Sequence, residues 1–185
     1  MTDRFEFHTR RLTIRPIRVG DFGRCQETRS RSVLSRAEFT GTTLAISPPD
    51  RAAFREMVEA RRLLMELDES YHFGVFQKTA GAFVGEVMLF EISRGRNQSA
   101  SVGEVIYSPY RQKGYARETL RAVVRYAFRR LRLHRIEGQA DPANHASIAL
   151  CTKAGFRIEC VSPRRIMEEG RWKDMTILSV TREEL

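Results

Sequence analysis

The chain has 185 residues, of which 42% are hydrophobic and 30% charged, and its 32 Lys and Arg outnumber its 23 Asp and Glu to give a net charge of +9. This length and composition predict one globular domain over residues 1–185 with its own hydrophobic core. No apolar run approaches the ~20 residues that span a bilayer, and the N-terminus lacks a signal-peptide pattern, so we expect no membrane partner.

The N-terminal part of the chain predicts a strand and two helices. Apolar and polar residues alternate over residues 12–15, which indicates a short strand, and Asp21 can cap a helix that follows it. Apolar residues recur at helical spacing over residues 51–67, and Asp50 stands at the capping position. We therefore expect a strand followed by two helices.

Three strands are predicted in the middle of the chain. Residues 71–76 and 83–90 are rich in aromatic and β-branched side chains and flank a turn that contains glycine, which predicts a β-hairpin. Residues 102–107 alternate again and end at Ser108-Pro109, which predicts a further strand.

The C-terminal part adds two helices and three strands. Apolar residues step by three and four over residues 116–131 and predict a strongly amphipathic helix. After a strand over 134–140, Asn144 opens a short helix that Gly155 closes. Two closing strands are predicted over residues 156–161 and 175–180. The whole is an α/β (α+β) chain of seven strands and four helices.

The junction between the strand at 102–107 and the long helix is the most informative segment. Its sequence is Arg111-Gln112-Lys113-Gly114-Tyr115-Ala116. Gly114 and Ala116 leave the backbone open to close approach, and the free N–H groups of a helix N-terminus suit a phosphate. Arg111 and Lys113 add positive charge. The segment predicts a pyrophosphate-binding turn; an ordinary left-handed turn with solvated basic residues is the alternative.

This turn resembles the acyl-CoA signature of the GNAT superfamily of N-acetyltransferases, Arg/Gln-x-x-Gly-x-Gly/Ala, at Arg111, Gly114 and Ala116. Other segments resemble the RimJ/RimL branch, the ribosomal-protein N-terminal acetyltransferases. They are the segments 11–16 (RLTIRP), 133–136 (LHRI), 144–147 (NHAS), 153–156 (KAGF) and 170–174 (GRWKD). The resemblance covers most of the chain and is densest from residue 103 to residue 174.

The resemblance implies the GNAT fold, a twisted, mixed and mostly antiparallel sheet of about seven strands flanked by about four helices. The strands at 102–107 and 134–140 would splay apart and hold acetyl-CoA as co-substrate. The pantetheine arm would pair with backbone groups of Ile106 and Tyr107, and Tyr115 would contact the phosphate loop. The implied reaction is acetyl transfer to a primary amine, which we expect to be the N-terminal α-amine of a protein or peptide.

Asn144 and Ser147 lie three residues apart at the start of a short helix, so both can face the splay. The resemblance implies that Asn144 binds the pantetheine arm and that the Ser147 hydroxyl protonates the departing thiolate. The alternative is that Asn144 acts only as a helix N-cap.

Glu104 is the candidate general base, because a strand glutamate beside the acceptor could hold a water that removes the proton of the amine. A solvated strand glutamate is the alternative. The catalytic glutamate best known in the family corresponds to Ile166 here, so Glu168 and Glu169 are further candidates for the base.

We expect acceptor loops around residues 31–49 and 162–174. Trp172 would lie in the second loop, either bordering the acceptor site or covering the edge of the core. Cys151 and Cys160 are expected to be small buried apolar residues. Neither the three cysteines nor the four histidines have metal-ligand or disulfide spacing, so we expect no metal and a cytoplasmic location.

Other functions remain open at this point. The acceptor could be a small-molecule amine such as an aminoglycoside or a polyamine, or the chain could be a CoA- or RNA-binding module without turnover. One face of the long helix carries four arginines, which favour a solvated surface over an RNA contact. They are Arg117, Arg121, Arg125 and Arg129. Ribosome association and a homodimer are further possibilities for partners.

Overall fold

The computed structural model describes residues 4–32, 50–168 and 170–185. The helices are α1 (Phe22–Ser30), α2 (Arg51–Glu66), α3 (Tyr115–Arg129) and α4 (His145–Ala154). The strands are β1 (Phe7–His8), β2 (Leu12–Arg15), β3 (Tyr71–Gln77), β4 (Phe83–Ser93), β5 (Ser99–Ile106), β6 (Arg135–Ala140), β7 (Arg157–Glu168) and β8 (Arg171–Thr181). Within the described ranges, every helix is too short or too polar to cross a membrane.

The strands form one sheet in the order β1-β2-β3-β4-β5-β6-β8-β7. Neighbouring strands are antiparallel except for β5 and β6, which are parallel and pair only over residues 99–101 and 135–137. Beyond Ser101 and Glu137 the two strands diverge. The splay and the predicted GNAT fold are therefore confirmed; the sheet has eight strands where about seven were expected, because the two-residue β1 has too few residues to show alternation.

The helices cover both faces of the sheet. On one face, α3 contributes Val123 and Ala127 to the larger apolar core, which also contains Val87 and Leu89 of β4. On the other face, Cys25 of α1 and Phe54 of α2 pack in a second cluster with Phe83 and Tyr107. Polar groups on β5 consequently face different helices according to whether their position is odd or even.

Local capping explains where the helices begin and end. The Asp50 carboxylate accepts hydrogen bonds from the N–H groups of Ala52 and Ala53, at 2.8 and 2.9 Å, and starts α2 as predicted. Gly155 ends α4 with a φ of +111°, a left-handed conformation that glycine adopts without steric cost.

Residues 162–168 and 171–174 belong to the two strands of a hairpin and not to the expected loop. β7 continues to Glu168, and β8 begins at Arg171 after a turn at Gly170. Trp172 lies inside β8 and is 58% exposed, so it does not cover the edge of the core. Cys160 is likewise exposed on β7, contrary to expectation. β7 is the last strand of the sheet and is largely exposed, so hydrophobic alternation does not mark its continuation beyond residue 161.

Candidate active site

A cleft of about 310 Å³ opens where β5 and β6 diverge. Its walls come from residues 102–106 of β5, residues 138–140 of β6 and the facing sides of α3 and α4. The size lies at the lower end of the range for ligand pockets, which suits a narrow, elongated ligand. Five of the predicted ligand-binding residues line this cleft: Ile106, Arg111, Ala116, Asn144 and Ser147.

The backbone of Ile106 faces the splay. The Tyr107 N–H donates to the Val84 carbonyl at 3.0 Å, so the alternation of an antiparallel ladder turns the N–H and C=O of Ile106 away from β4. Arg111 confirms this direction, because its Nε donates to the Ile106 carbonyl at 2.9 Å. The Ile106 N–H is thus available to a ligand in the cleft, whereas the Tyr107 N–H is already paired.

Tyr107 is completely buried on the opposite face of the sheet. Its hydroxyl donates to Glu86 Oε1 and accepts from Arg29 Nε, both at 2.9 Å. Arg61 completes the network at 2.9 Å from Glu86. Burial alone would raise the pKa of Glu86, but Arg61 and Arg29 lower it, so the carboxylate is ionised. The Tyr107 side chain therefore packs in the core and lies outside the cleft.

The predicted phosphate turn has an unusual backbone. Gln112 and Gly114 both have positive φ, +60° and +77°. The first intrahelical donor of α3 is the Glu118 N–H, which reaches the Gly114 carbonyl at 3.2 Å, so the three preceding N–H groups of the helix lie outside its ladder. Ala116, the second of these residues, lines the cleft. The N-terminus of α3 therefore offers donors and a positive dipole end to an anion.

The sequence did not reveal what holds this turn in place. Arg11 Nε lies 2.6 Å from Glu118 Oε2, and Arg11 Nη1 donates to the Lys113 carbonyl at 2.9 Å. The Arg11 guanidinium also stacks on the Tyr115 ring, 4.6 Å from its centroid, and Gln77 donates to the Tyr115 hydroxyl at 2.7 Å. The only sequence signals were Arg11 in the RLTIRP segment and an acidic residue in the first turn of a helix.

Asn144 and Ser147 are brought together at the start of α4. Asn144 Oδ1 accepts the Ser147 N–H at 3.1 Å, so Asn144 is an N-cap. Both side chains also line the cleft, so capping and ligand binding are compatible. Because the cap uses the Ser147 N–H, the hydroxyl of Ser147 takes no part in it.

Glu104 is not a solvated strand residue. Its side chain lines the cleft, and both carboxyl oxygens are buried without a hydrogen-bond partner in the part of the chain that the structure describes. Burial raises the pKa of Glu104 well above its ordinary value. Cys151 of α4 lines the same wall, and burial, with a smaller contribution from Glu104, raises the pKa of its thiol to about 12.

The other face of the sheet carries a second, smaller cavity of about 150 Å³. Glu137 and Gln139 of β6 line it, together with Arg165 and Ile166 of the β7–β8 hairpin. Gly138 and Gln139 border both this cavity and the cleft, so β6 separates the two. Ile166 therefore contributes an apolar wall where the family's glutamate would stand.

The remaining candidates lie elsewhere. Glu168 forms an ion pair with Lys173 near the hairpin turn, and Glu169 lies outside the described residues, as do residues 33–49 of the first expected acceptor loop. The four arginines of α3 are all exposed, which agrees with a solvated face. Among the described residues, no three His, Cys, Asp or Glu side chains are grouped so that they could hold a metal ion.

Comparison with known proteins gives a consistent result. A family model described as an acetyltransferase (GNAT) domain matches residues 11–157. The probable N-acetyltransferase YjcK of Bacillus subtilis is 39% identical over 116 residues, 63% of this chain and 64% of that protein. The ribosomal protein uS5-alanine N-acetyltransferase of Escherichia coli is 27% identical over 112 residues, 60% of this chain and 58% of that protein. Each match thus spans less than two thirds of the curated relative.

A solved structure matches over nearly the full length. The protein, provisionally described as a ribosomal-protein-serine acetyltransferase from Vibrio cholerae, is 28% identical and superimposes with a TM-score of 0.78. The match covers 98% of this chain and 99% of that chain. The similarity therefore includes both sides of the splay and the turn before α3.

Proposed function

Because the chain belongs to the GNAT acetyltransferase family, we propose that it transfers the acetyl group of acetyl-CoA to a primary amine. The observation that carries the proposal is the continuity of two features. The cleft between β5 and β6 leads to the N-terminus of α3, where Gly114 adopts a left-handed φ and the first three backbone N–H groups lie outside the hydrogen-bond ladder of the helix. A ligand with an elongated arm and a pyrophosphate fits both features at once.

The proposed donor site uses the residues predicted from the sequence. Backbone groups at the end of β5 near Ile106 would pair with the arm, as in an added strand, and Asn144 would contact it from α4. The turn would hold the pyrophosphate through its backbone, with Arg111, Gln112, Lys113, Tyr115 and Ala116 around it. Arg111 joins the two parts, because its side chain lines the cleft and bonds the Ile106 carbonyl.

The reaction needs one proton removed and one supplied. The amine nitrogen forms a bond to the thioester carbonyl carbon, the carbon–sulfur bond breaks, and the coenzyme leaves as a thiol. The Ile106 N–H would stabilise the oxyanion. The Ser147 hydroxyl would give its proton to the sulfur and regain one from the amine through water. Glu104, the candidate for the base from the sequence, lines the same cleft.

The acceptor that we propose is the N-terminal α-amine of a protein. An α-amine, with a pKa near ~8, is partly neutral at neutral pH, whereas a lysine amine near ~10.4 requires a stronger base. The position of the family's glutamate is taken by Ile166, which favours the less demanding amine. One curated relative and one solved structure carry names that describe acetylation of a ribosomal protein.

The test is a thiol-release assay with acetyl-CoA and a panel of N-terminal peptides, polyamines and aminoglycosides. We expect turnover with at least one peptide α-amine and none with the same peptide acetylated at its N-terminus. Turnover confined to polyamines or aminoglycosides would replace the proposed acceptor. If saturating acetyl-CoA neither shifts the thermal unfolding temperature nor supports turnover, the acetyltransferase proposal fails.

A further inference from the structure

Glu104 is an ionisable residue in the wall of the cleft. It lies on β5 opposite Val87 of β4, on the sheet face covered by α3 and α4. Both carboxyl oxygens are buried in the wall of the cleft, and neither has a hydrogen-bond partner in the described part of the chain. A carboxylate without a partner is strongly disfavoured in such a place, and a neutral carboxylic acid much less so.

The groups facing Glu104 do not provide a counter-charge. From α4 the titratable neighbour is Cys151, whose thiol is neutral because burial raises its pKa to about 12. The side chains that α3 and β6 add to this wall are uncharged, Ala116, Leu120 and Ala140 among them. Arg111, the other charged lining residue, donates through Nε to the Ile106 carbonyl, and Glu104 accepts no hydrogen bond from it. Burial is the cause that raises the pKa of Glu104.

A neutral carboxyl group adds an O–H donor on the β5 side of the cleft, besides the Ser147 hydroxyl on α4. The arm of acetyl-CoA carries carbonyl oxygens, two in amides and one in the thioester, and these are acceptors. A buried donor without a partner is costly, so a carbonyl oxygen entering the cleft would satisfy both groups. A general base would instead have to be ionised in the same desolvated place.

We propose that Glu104 works as a neutral carboxylic acid that donates a hydrogen bond to a carbonyl oxygen of the acyl-CoA in the cleft, and not as the general base. This inference rests on the donor site proposed above. Glu104 is then a ligand-binding residue, and its carboxyl group must be protonated for the ligand to bind tightly.

Binding is then linked to pH. Once Glu104 ionises, a carboxylate would face a carbonyl oxygen, so affinity falls by up to ~10-fold for each pH unit above the pKa of the free protein. Glutamine has nearly the same size, keeps an N–H donor and does not titrate. Leucine at this position removes the donor.

The experiment measures the Kd of CoA and of acetyl-CoA by calorimetry for the wild-type chain, Glu104→Gln and Glu104→Leu between about pH 6 and 10. We expect Glu104→Gln to bind within about threefold of wild type at the low end and to lose the alkaline fall in affinity. Glu104→Leu should bind about 3–10-fold more weakly at the low end, as for one lost hydrogen bond. The control Cys151→Ala should keep the wild-type pH profile. An alkaline fall in affinity for both ligands would identify an amide carbonyl as the acceptor of the Glu104 hydrogen bond. A fall for acetyl-CoA alone would identify the thioester carbonyl.

Two results would overturn the inference. One is a Glu104→Gln variant whose affinity follows the same pH profile as wild type. The other is a Glu104→Gln variant that binds acetyl-CoA with full affinity but whose turnover is reduced ~10²-fold or more, which is the signature of a lost general base. Carbon NMR of the ligand-free wild-type chain labelled at the glutamate carboxyls needs no variant: every resonance titrating in the ordinary range would also exclude a neutral Glu104. Failure of the wild-type chain to bind either ligand would instead refute the proposed donor site.

Discussion

Arg11 and Glu118 are joined by a charged hydrogen bond of 2.6 Å, which links the N-terminal segment before β2 to the first turn of α3. Burial alone would raise the pKa of Glu118, but hydrogen bonds from Thr9 and Arg11 lower it below its ordinary value of 4.5. The contribution of this contact to stability is therefore present above that value and is lost as the pH falls through the folded pKa. Arg11 also neutralises a carboxylate beside the proposed pyrophosphate site.

Replacing Arg11 by alanine should weaken CoA binding by roughly 3–10-fold at low salt, because it leaves the Glu118 charge beside the phosphates. Calorimetric Kd values at two salt concentrations measure the effect, which should shrink at the higher one. The double variant Arg11→Ala/Glu118→Gln should recover part of the affinity. If it binds as weakly as the single variant, the charge of Glu118 is not the cause.

Substituting Gly114 should affect folding and ligand binding together. Its φ of +77° lies in the left-handed region, which is unfavourable for a residue with a Cβ, and an added Cβ would lie 3.4 Å from Arg11 Nη2. Gly114→Ala should therefore lose about 1–2 kcal/mol of stability. Added bulk at the turn should also raise the Kd of CoA. Gly95→Ala is the matched control, because Gly95 has a φ of +65° with open space around it, in the loop between β4 and β5. Urea unfolding and calorimetry should show similar destabilisation in both variants but weaker CoA binding only in Gly114→Ala.

The Ser147→Ala variant tests whether Ser147 acts as a general acid or only as part of the helix N-terminus. The N–H of residue 147 remains as the donor to Asn144, so we expect the thermal unfolding temperature to change little. Turnover should fall by ~10²-fold or less, because the coenzyme thiol, with a pKa near ~8.5, is already a good leaving group, while acetyl-CoA affinity stays nearly constant. Asn144→Ala, by contrast, should cost about 0.5–2 kcal/mol of stability through loss of the cap. Unchanged turnover in folded Ser147→Ala would assign the proton to another donor.

Glu86 should be among the most sensitive positions for stability. It receives Arg29 Nη2 at 2.5 Å and Arg61 Nη1 at 2.9 Å, and all three side chains are largely buried. Glu86→Gln leaves two arginines without their counter-charge and should cost about 3–5 kcal/mol. Glu66→Gln removes an exposed ion pair with Arg62 and should cost about 0.5 kcal/mol or less. Equal urea midpoints for the two variants would refute the importance of the buried network.

Local pattern was sufficient for most elements of the fold. Helical spacing located α2 and α3, Asp50, Asn144 and Gly155 marked helix ends, and the motif around Gly114 identified the family before any packing was known. These features depend on residues within a few positions of one another, which is the range over which helices, hairpins and caps are determined.

Tertiary structure decided the environment of each polar group. Arg11 and Glu118 stand 107 positions apart, so no local pattern could pair them. Alternation on β5 placed Glu104 and Tyr107 on opposite faces, but whether those faces meet water, α4 or a buried ion pair depends on which helix packs there. Burial decides whether a carboxyl group is ionised, and burial results from contacts between segments distant in the chain. The sequence by itself determined where the ligand turn and the strands lie, and the packing of α3 and α4 over β5 decided that Glu104 is buried in the cleft.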